Sequence, residues 1–282
     1  MLSFTAVEVP LDRWLIGFAA SVLAVVALSE ATPVLSDSKV DLVPHKAIYE
    51  MRLGRVRSGG DIAGARGSMY MEMVRSCVGW TVKHRFQLTL VNNEGNRIVT
   101  DSNYSSFESF DGLTYKFTTR TTRDGRVTED IQGNSKLTSR GGVGHVDFAR
   151  PKGVLFDLPK GTLYPTEHIV QLIAGARRGQ SRVFKVVFDG QSKDGPLEVN
   201  AFIGDYRAKA PAKWVKNKLT NRPSWSLRLA FFPIASSKAE PQHEVGLRVF
   251  DNGVADEFEW DWGTFTVEGN LKLLEGLPQP KC

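Results

Sequence analysis

The sequence predicts an all-β protein with one short helix, built on a single large, curved antiparallel sheet. Residues 67–132 alternate apolar and polar side chains with period two, which is typical of strands that bury one face. Turn-forming sequences interrupt this stretch at residues 92–95, 109–112 and 124–125. Beyond the amino-terminal segment, a helical apolar period is clear at one place, after Pro165. These observations favour one sheet, and two smaller β-rich domains are the alternative.

Two series of strands are predicted, one on each side of the helix. The first covers residues 45–53, 67–77, 79–92, 96–107, 113–123, 126–133 and 135–140, and an irregular apolar connector follows at 141–165. The helix covers residues 166–178, with Thr166 as its N-cap and Gly179 as its terminating residue. The second series covers residues 181–188, 197–205, 224–233, 244–250 and 257–274. In the last strand, Phe258, Trp260 and Trp262 alternate with acidic residues, which predicts one buried aromatic face.

Residues 1–31 have the pattern of a cleaved secretory signal peptide. An uncharged apolar run, residues 14–28, follows Arg13 and precedes small residues at Ser29 and Ala31. As a helix this run spans only about 22 Å, less than the roughly 30 Å hydrocarbon layer of a bilayer, so an uncleaved anchor is the less favoured alternative. We therefore predict export with cleavage near Ala31, a linker at 32–43 and one β domain at 44–282.

The two cysteines, Cys77 and Cys282, are predicted to form a disulfide. An exported chain with a single pair of cysteines meets an oxidising environment, in which such a pair is normally joined. The bridge would close a loop over most of the chain and remove roughly 5 kcal/mol of chain entropy from the unfolded state. Two free thiols, or pairing between chains, are the alternatives.

Charge and residue types argue against several functions. The net charge of +5 is spread along the chain in pairs such as Arg55 and Arg57, which is more typical of a soluble surface than of nucleic-acid binding. The five histidines lie far apart without a metal-binding spacing, and no G-x-S-x-G nucleophile motif occurs. We predict no catalytic residue, no metal site and no cofactor.

One carboxylate group leaves an enzymatic alternative open. Glu257, Glu259 and Asp261 fall on one strand face at period two, and carboxylates so close together can raise one another's pKa, as glycosidases require. The more favoured interpretation is a solvated strand face opposite the aromatic side chains.

A methionine-rich strand face suggests a binding function. Methionine adapts its shape to neighbours, so a concave sheet lined by it can accept a flexible apolar guest such as an acyl chain. The candidate lining residues are Met69, Met71 and Met73 of the strand, Phe156 and Leu163 of the connector, and Ile169, Leu172 and Ile173 of the helix. The same residue types also build an ordinary filled core, which is the alternative.

Several short blocks of the sequence carry a family resemblance. They are VPHKAIY at 43–49, CVGW at 77–80, TD at 100–101, FESFDG at 107–112, FDLP at 156–159, GTLYPTEH at 161–168 and VFDG at 187–190. Together they resemble the EipB-like cell-envelope integrity proteins of alphaproteobacteria, over nearly all of the chain beyond the signal segment. None of these blocks is a catalytic signature.

The resemblance implies a soluble periplasmic protein, peripheral to the membrane, that supports envelope integrity without enzymatic activity or a cofactor. It implies a many-stranded β-spiral around an apolar cavity beside a short helix, an architecture similar to the lipoprotein carriers LolA and LolB. Cys77 and Cys282 lie where the family carries its disulfide. The implied partners are other periplasmic proteins, including ones of tetratricopeptide-repeat type.

Three functional hypotheses follow from the residues and the resemblance together. The first is an envelope protein that binds a lipid-like amphiphile, another envelope protein, or both. The second is a scaffold without a ligand, which docks partners through outer strand edges or the basic loop 209–218. The third is an envelope glycan hydrolase that uses the carboxylates of the last predicted strand.

Overall fold

The computed structural model describes residues 39–209, 217–234 and 239–282. The predicted signal segment, the linker as far as residue 38 and most of the basic loop lie outside the described residues. Among the helical residues that are described, none forms a helix of the length and apolarity needed to cross a bilayer.

Within these ranges the chain forms fifteen strands and one helix. The strands are β1 His45–Val56, β2 Ile62–Arg75, β3 Gly79–Asn92, β4 Arg97–Ser109, β5 Thr114–Arg123, β6 Arg126–Leu137, β7 Gly144–Arg150, β8 Leu155–Leu158, β9 Thr162–Leu163, β10 Arg182–Val187, β11 Leu197–Arg207, β12 Ser224–Pro233, β13 His243–Phe250, β14 Ala255–Asp261 and β15 Phe265–Gly276. The helix α1, Pro165–Arg177, lies between β9 and β10 in the chain.

All fifteen strands belong to one sheet that curves back on itself. Its order is β8-β7-β6-β5-β4-β3-β2-β1-β15-β14-β13-β12-β11-β10-β9, so two arms extend from a central pair of β1 and β15. Neighbours are antiparallel except β9 and β10. The two edge strands, β8 and β9, are separated in the chain only by residues 159–161. Because so short a link joins the two edges, the sheet must form a nearly closed, barrel-like wrap, which confirms the predicted fold class.

Three apolar clusters pack inside this wrap. The first lies between α1 and the sheet, where Leu172 packs in the same cluster as Trp225 of β12. The second surrounds Tyr115 and occupies the arm from β5 to β8. The third surrounds Phe258 and lies where β1 meets β15. The single helix is therefore inside the wrap and braces one arm against the other.

The helix begins one residue earlier than the sequence predicts, and Thr166 is not its N-cap. Tyr164 is the N-cap residue, it makes no capping hydrogen bond through its side chain, and Pro165 is the first helical residue. A proline fits this position because its missing N–H would have no partner there. The predicted termination at Gly179 is confirmed: its φ is +73°, and its N–H donates to the carbonyl of Ala176 at 3.0 Å.

The predicted disulfide is present. Cys77, in the turn between β2 and β3, is bonded to Cys282 with 5.7 Å between their Cα atoms. The tail that follows β15 is also held by a hydrogen bond from the guanidinium of Arg75 to the side chain of Gln279 at 3.4 Å. The carboxyl terminus is therefore tied to the first long hairpin.

Three predicted elements are wrong in detail. The connector at 141–165 contains three strands, β7, β8 and β9. Residues 257–274 are not one strand but a hairpin, β14 and β15, which turns at Gly263 with a φ of +85°. The two strands predicted on either side of Asn134 are one continuous strand, β6, because Gly133 serves to bring Phe117 close to the backbone and not to turn the chain.

Candidate functional site

A cavity of about 520 Å³ lies inside the wrap, between the inner faces of β1–β3, the inner faces of β12–β14 and the first turns of α1. Most of its wall is apolar or aromatic, and these lining residues are Tyr49, Met69, Met71, Val82, Phe86, Ile169, Phe231, Val245, Leu247, Phe258, Trp260 and Trp262. The volume and the lining are those of a small-molecule site.

The aromatic wall comes from the alternation along β14. Phe258 and Trp260 of β14 and Trp262 just beyond it line the cavity, but only Phe258 is buried and Trp262 is 43% exposed, so the predicted buried face is confirmed only in part. The ring of Trp260 lies 5.0 Å from that of Phe258 and 5.5 Å from that of Phe86 on β3, measured between centroids. These contacts fix the large rings, so the cavity has a preformed wall.

The titratable groups of the wall are two histidines, one aspartate and Tyr49, and burial raises the pKa of the Tyr49 hydroxyl. Burial lowers the pKa of His84 to about 4, and burial also lowers the pKa of His243, whose ring stacks on Phe231 with 4.5 Å between centroids. Burial raises the pKa of Asp189, partly offset by the backbone N–H of Gln191. Both imidazoles are therefore neutral at pH 7, and the cavity holds no cationic side chain of its own.

The Asp189 segment is held in place by side chains from β4 and β5. The hydroxyls of Tyr115 and Tyr104 donate to the carbonyl of Asp189 at 2.8 and 3.2 Å, and the hydroxyl of Thr119 donates to the carbonyl of Gly190 at 3.3 Å. Asp189, the one residue of the block VFDG at 187–190 that lines the cavity, is thus held in a fixed position.

The predicted lining residues are divided between the cavity, the solid core and the outside. Met69, Met71 and Ile169 line the cavity, while Met73, Leu172 and Ile173 belong to the packed cluster between α1 and the sheet. Leu163 is buried in β9, and Phe156 lies in a separate groove of about 730 Å³ between β8, the β10–β11 connection and the end of β12.

Sequence reasoning missed the polar part of the wall and the strand opposite the methionines. Asp189, His84, His243 and Phe231 were not predicted as lining residues. A signal existed only for Asp189, which lies in one of the blocks that carry the family resemblance. The histidines had no such signal, since their strands are distant in sequence and meet through the curvature of the sheet.

The three acidic residues of β14, Glu257, Glu259 and Asp261, lie on the face opposite the cavity wall. Arg228 donates to Glu259 at 2.7 Å and to Asp261 at 2.9 Å, and Arg57 donates to Asp261 at 3.0 Å. Burial alone would raise the pKa of Asp261, but the N–H of Gly263 and the two arginines hold it below its usual value. The general acid of a glycosidase needs a raised pKa, whereas the pKa of Asp261 is lowered. The carboxylates of β14 are therefore arranged as an ion-pair network and not as a glycosidase pair. Within the described residues, no three His, Cys, Asp or Glu side chains are placed to hold a metal ion.

Comparison with known proteins gives consistent matches. The model of the EipB-like family matches residues 36–278. The cell envelope integrity protein EipB of Brucella abortus (strain 2308) is 30% identical over 242 residues, which cover 84% of this chain and 85% of that protein. This chain is also similar to a crystal structure of a β-barrel-like protein of a domain of unknown function from Brucella abortus, with a TM-score of 0.77 and 29% sequence identity. That match covers 85% of this chain and 100% of the crystallised chain. On these matches, the chain belongs to the EipB-like family.

Proposed function

We propose that this chain is a non-enzymatic periplasmic protein that supports the cell envelope by holding the apolar part of a lipid-like amphiphile in its interior cavity. The envelope role is supported by the related Brucella protein, which is named for cell envelope integrity. The periplasmic location is supported by the disulfide, because such bonds persist in oxidising compartments.

The single observation that carries the binding proposal is the cavity of about 520 Å³ with aromatic and methionine walls. A protein interior is normally close-packed, so an apolar space of this size beside a solid core needs an explanation. Its neutral imidazoles and fixed aromatic rings suit a hydrocarbon chain, because such a chain binds mainly through apolar contact area and forms no hydrogen bonds of its own.

Lipid extraction tests this proposal directly. The protein is purified from the periplasm without detergent, extracted with organic solvent, and the extract is analysed by mass spectrometry. We expect one amphiphile in near-stoichiometric amount. Val245→Phe, which adds a ring inside the cavity, should abolish it, whereas Val78→Phe, at a turn residue that is 66% exposed, should retain it. An empty wild-type protein would exclude the ligand.

The scaffold function is the second candidate, and the free edge of β8 is the observation that favours it. Within the part of the chain that the structure describes, β8 pairs with β7 on one side only, and its Leu155 is 70% exposed. An extended, apolar segment of another periplasmic protein would add to this edge as a further strand. Leu155→Lys should then abolish co-purification of that partner and impair envelope function, whereas the ligand function predicts that Val245→Phe, and not Leu155→Lys, impairs envelope function.

A further inference from the structure

A second chamber of about 520 Å³ adjoins the cavity and has a different lining. The two spaces share Phe86, Gln191 and Trp262. We call this second space the outer chamber. It lies where β3 and β5 end and β4 and β6 begin. The two spaces therefore lie side by side, with Phe86 in the wall of both.

Within the outer chamber the lining differs from strand to strand: β3 contributes Phe86, Leu88 and Leu90, whereas β4, β5 and β6 contribute hydroxyls and charges. Two cross-strand rows show the difference: Phe86, Ser102, Thr121 and Glu129 form one, and Leu88, Thr100 and Arg123 form the next. All seven side chains line the outer chamber. Along each row the inner face of the sheet thus has hydroxyls and then a charge, and this gradient matches the tail and head of an amphiphile.

Arg123 and Glu129 are the two charged residues of the outer chamber. Glu129 pairs with Thr121 and Arg123 pairs with Arg126, with a β-bulge between the two pairs, so both charged residues lie near the turn of the β5–β6 hairpin. Both side chains are exposed, and in the described part of the chain neither forms an ion pair with any other residue. The guanidinium of Arg123 and the carboxylate of Glu129 are thus both available to bind one small polar group of a ligand.

The cavity itself does not offer such a site for an anion. Its imidazoles are neutral at pH 7, and its other titratable groups are the carboxyl of Asp189 and the hydroxyl of Tyr49, neither of which is a cation. An anionic head group is therefore more stable in the outer chamber, beside the guanidinium of Arg123, which is suited to phosphate oxygens.

We propose that the outer chamber is the head-group site for a zwitterionic phospholipid, with the phosphate on Arg123, the ammonium on Glu129 and the acyl chain in the cavity. The hydroxyls of Thr100, Ser102 and Thr121 lie between the two charges and the cavity. This proposal rests on the proposed function, and it adds the chemical class of the ligand and its orientation.

Single-chain phospholipids of equal chain length test the head group alone. Lysophosphatidylethanolamine and lysophosphatidylglycerol are titrated into delipidated protein, and binding is followed by the fluorescence of the tryptophans in the wall. We expect the wild type to prefer the ethanolamine lipid. Arg123→Gln should weaken binding of both lipids about tenfold, the effect of one charge-assisted hydrogen bond. Glu129→Gln should weaken only the ethanolamine lipid and abolish the preference.

Two control variants separate an effect at the outer chamber from a general effect of surface charge. Arg97→Gln and Glu94→Gln change exposed charges near the β3–β4 turn that do not line the outer chamber, and they should bind as the wild type does. Unchanged affinities in both Arg123→Gln and Glu129→Gln, with the wild type still binding, would overturn the head-group site and leave the proposed function intact. If the wild type binds neither lipid and is empty on extraction, both proposals fail.

Discussion

The carboxylate of Glu108 on β4 accepts the backbone N–H of Thr166 at 2.8 Å, so a strand supplies the N-cap that the helix sequence lacks. It also accepts the N–H of Glu167 at 2.9 Å. These are two of the N–H groups that a helix leaves without intrahelical partners at its start. Glu108 belongs to the block at 107–112 and both amides to the block at 161–168, so two of the blocks behind the family resemblance meet in this cap. Because Pro165, Thr166 and Ile169 line the cavity, the cap also positions its helical wall.

The cap makes the stability of the protein depend on pH through Glu108. Burial raises the pKa of Glu108 from 4.5 in the unfolded chain to about 7, although the N–H groups of Thr166 and Glu167 act in the opposite direction. The folded state therefore retains a proton that the unfolded state releases. This contribution to stability is fully present below about pH 4.5 and is lost as the pH rises through about 7, by about 3 kcal/mol in total.

Comparison of the wild type with Glu108→Gln isolates this contribution. The amide does not titrate, so the difference in free energy of unfolding between wild type and variant should shift against the wild type by about 3 kcal/mol between pH 4.5 and 8. Urea unfolding across this range measures it. For Glu94→Gln, at an exposed carboxylate, the free energy of unfolding should change with pH as it does in the wild type. Parallel curves for Glu108→Gln as well would show that Glu108 is not protonated in the folded protein.

The bond between Cys77 and Cys282 should contribute a large share of the stability. It closes a loop over a sequence separation of 205 residues. The chain-entropy estimate for such a loop is roughly 5 kcal/mol. Reduction with dithiothreitol should lower the free energy of unfolding in urea by a few kcal/mol, and the double variant Cys77→Ser, Cys282→Ser should not respond to reductant. Thiol counting on denatured, unreduced protein should find no free thiol, and two reactive thiols would contradict the bond.

Much of the sheet could be predicted because its strands alternate regularly and end at clear turn residues. The turns at Gly95, Gly112 and Asp124–Gly125 all have the positive φ angles that their sequences indicate. The strand β7 was missed although Val146 and Phe148 alternate with polar residues, because flanking glycines and prolines dominated the local pattern. Local composition is a poor guide where a sheet closes on itself, since short edge strands there are stabilised by distant partners.

The cavity could be predicted only in part, because residue type does not report what a side chain faces. Met71 and Met73 have the same chemistry and lie on the same face of β2. Met71 is partly buried, packs against the edge of the cluster that contains Leu172 and Ile173, and lines the cavity, whereas Met73 is buried inside that cluster. The position of the helix along the inner face decides the difference, and that position depends on the cap from Glu108, which is distant in sequence.

Gly190, next to Asp189 of the cavity wall, should not tolerate a side chain. Gly190 has a φ of +64°, and a Cβ atom there would lie 2.4 Å from Cγ of Phe117, a ring in the packed core. Gly190→Ala should therefore destabilise the protein through both backbone strain and a clash, by about 3 kcal/mol. Gly179→Ala is the matched control, since its φ is +73° but no atom lies within 4 Å of its Cβ position, and it should cost only about 1 kcal/mol. Equal losses in urea unfolding would contradict a close approach at Gly190.

The carboxylates of β14 should prove structural. Glu259 is bound by Arg228 at 2.7 Å on the face opposite the cavity, so Glu259→Gln should leave envelope function unchanged in a complementation assay. Arg228→Met should instead destabilise the protein by about 1–3 kcal/mol, because it leaves Glu244, Glu259 and the buried Asp261 without their shared cation. Loss of function in a normally folded Glu259→Gln protein would support the hydrolase hypothesis.

The two methionines of β2 provide the sharpest test of where the core ends and the cavity begins. Met73 is 7% exposed and packed on all sides, so Met73→Ala should leave a void and cost about 2–5 kcal/mol in free energy of unfolding. Met71 already faces open space, so Met71→Ala removes fewer contacts and should cost less than about 2 kcal/mol. It also enlarges the cavity, and the extracted amphiphile should shift towards bulkier chains, whereas Met73→Ala should leave the chain length unchanged. Equal stability losses with no change in the bound chain would mean that the space beside Met71 is filled in solution.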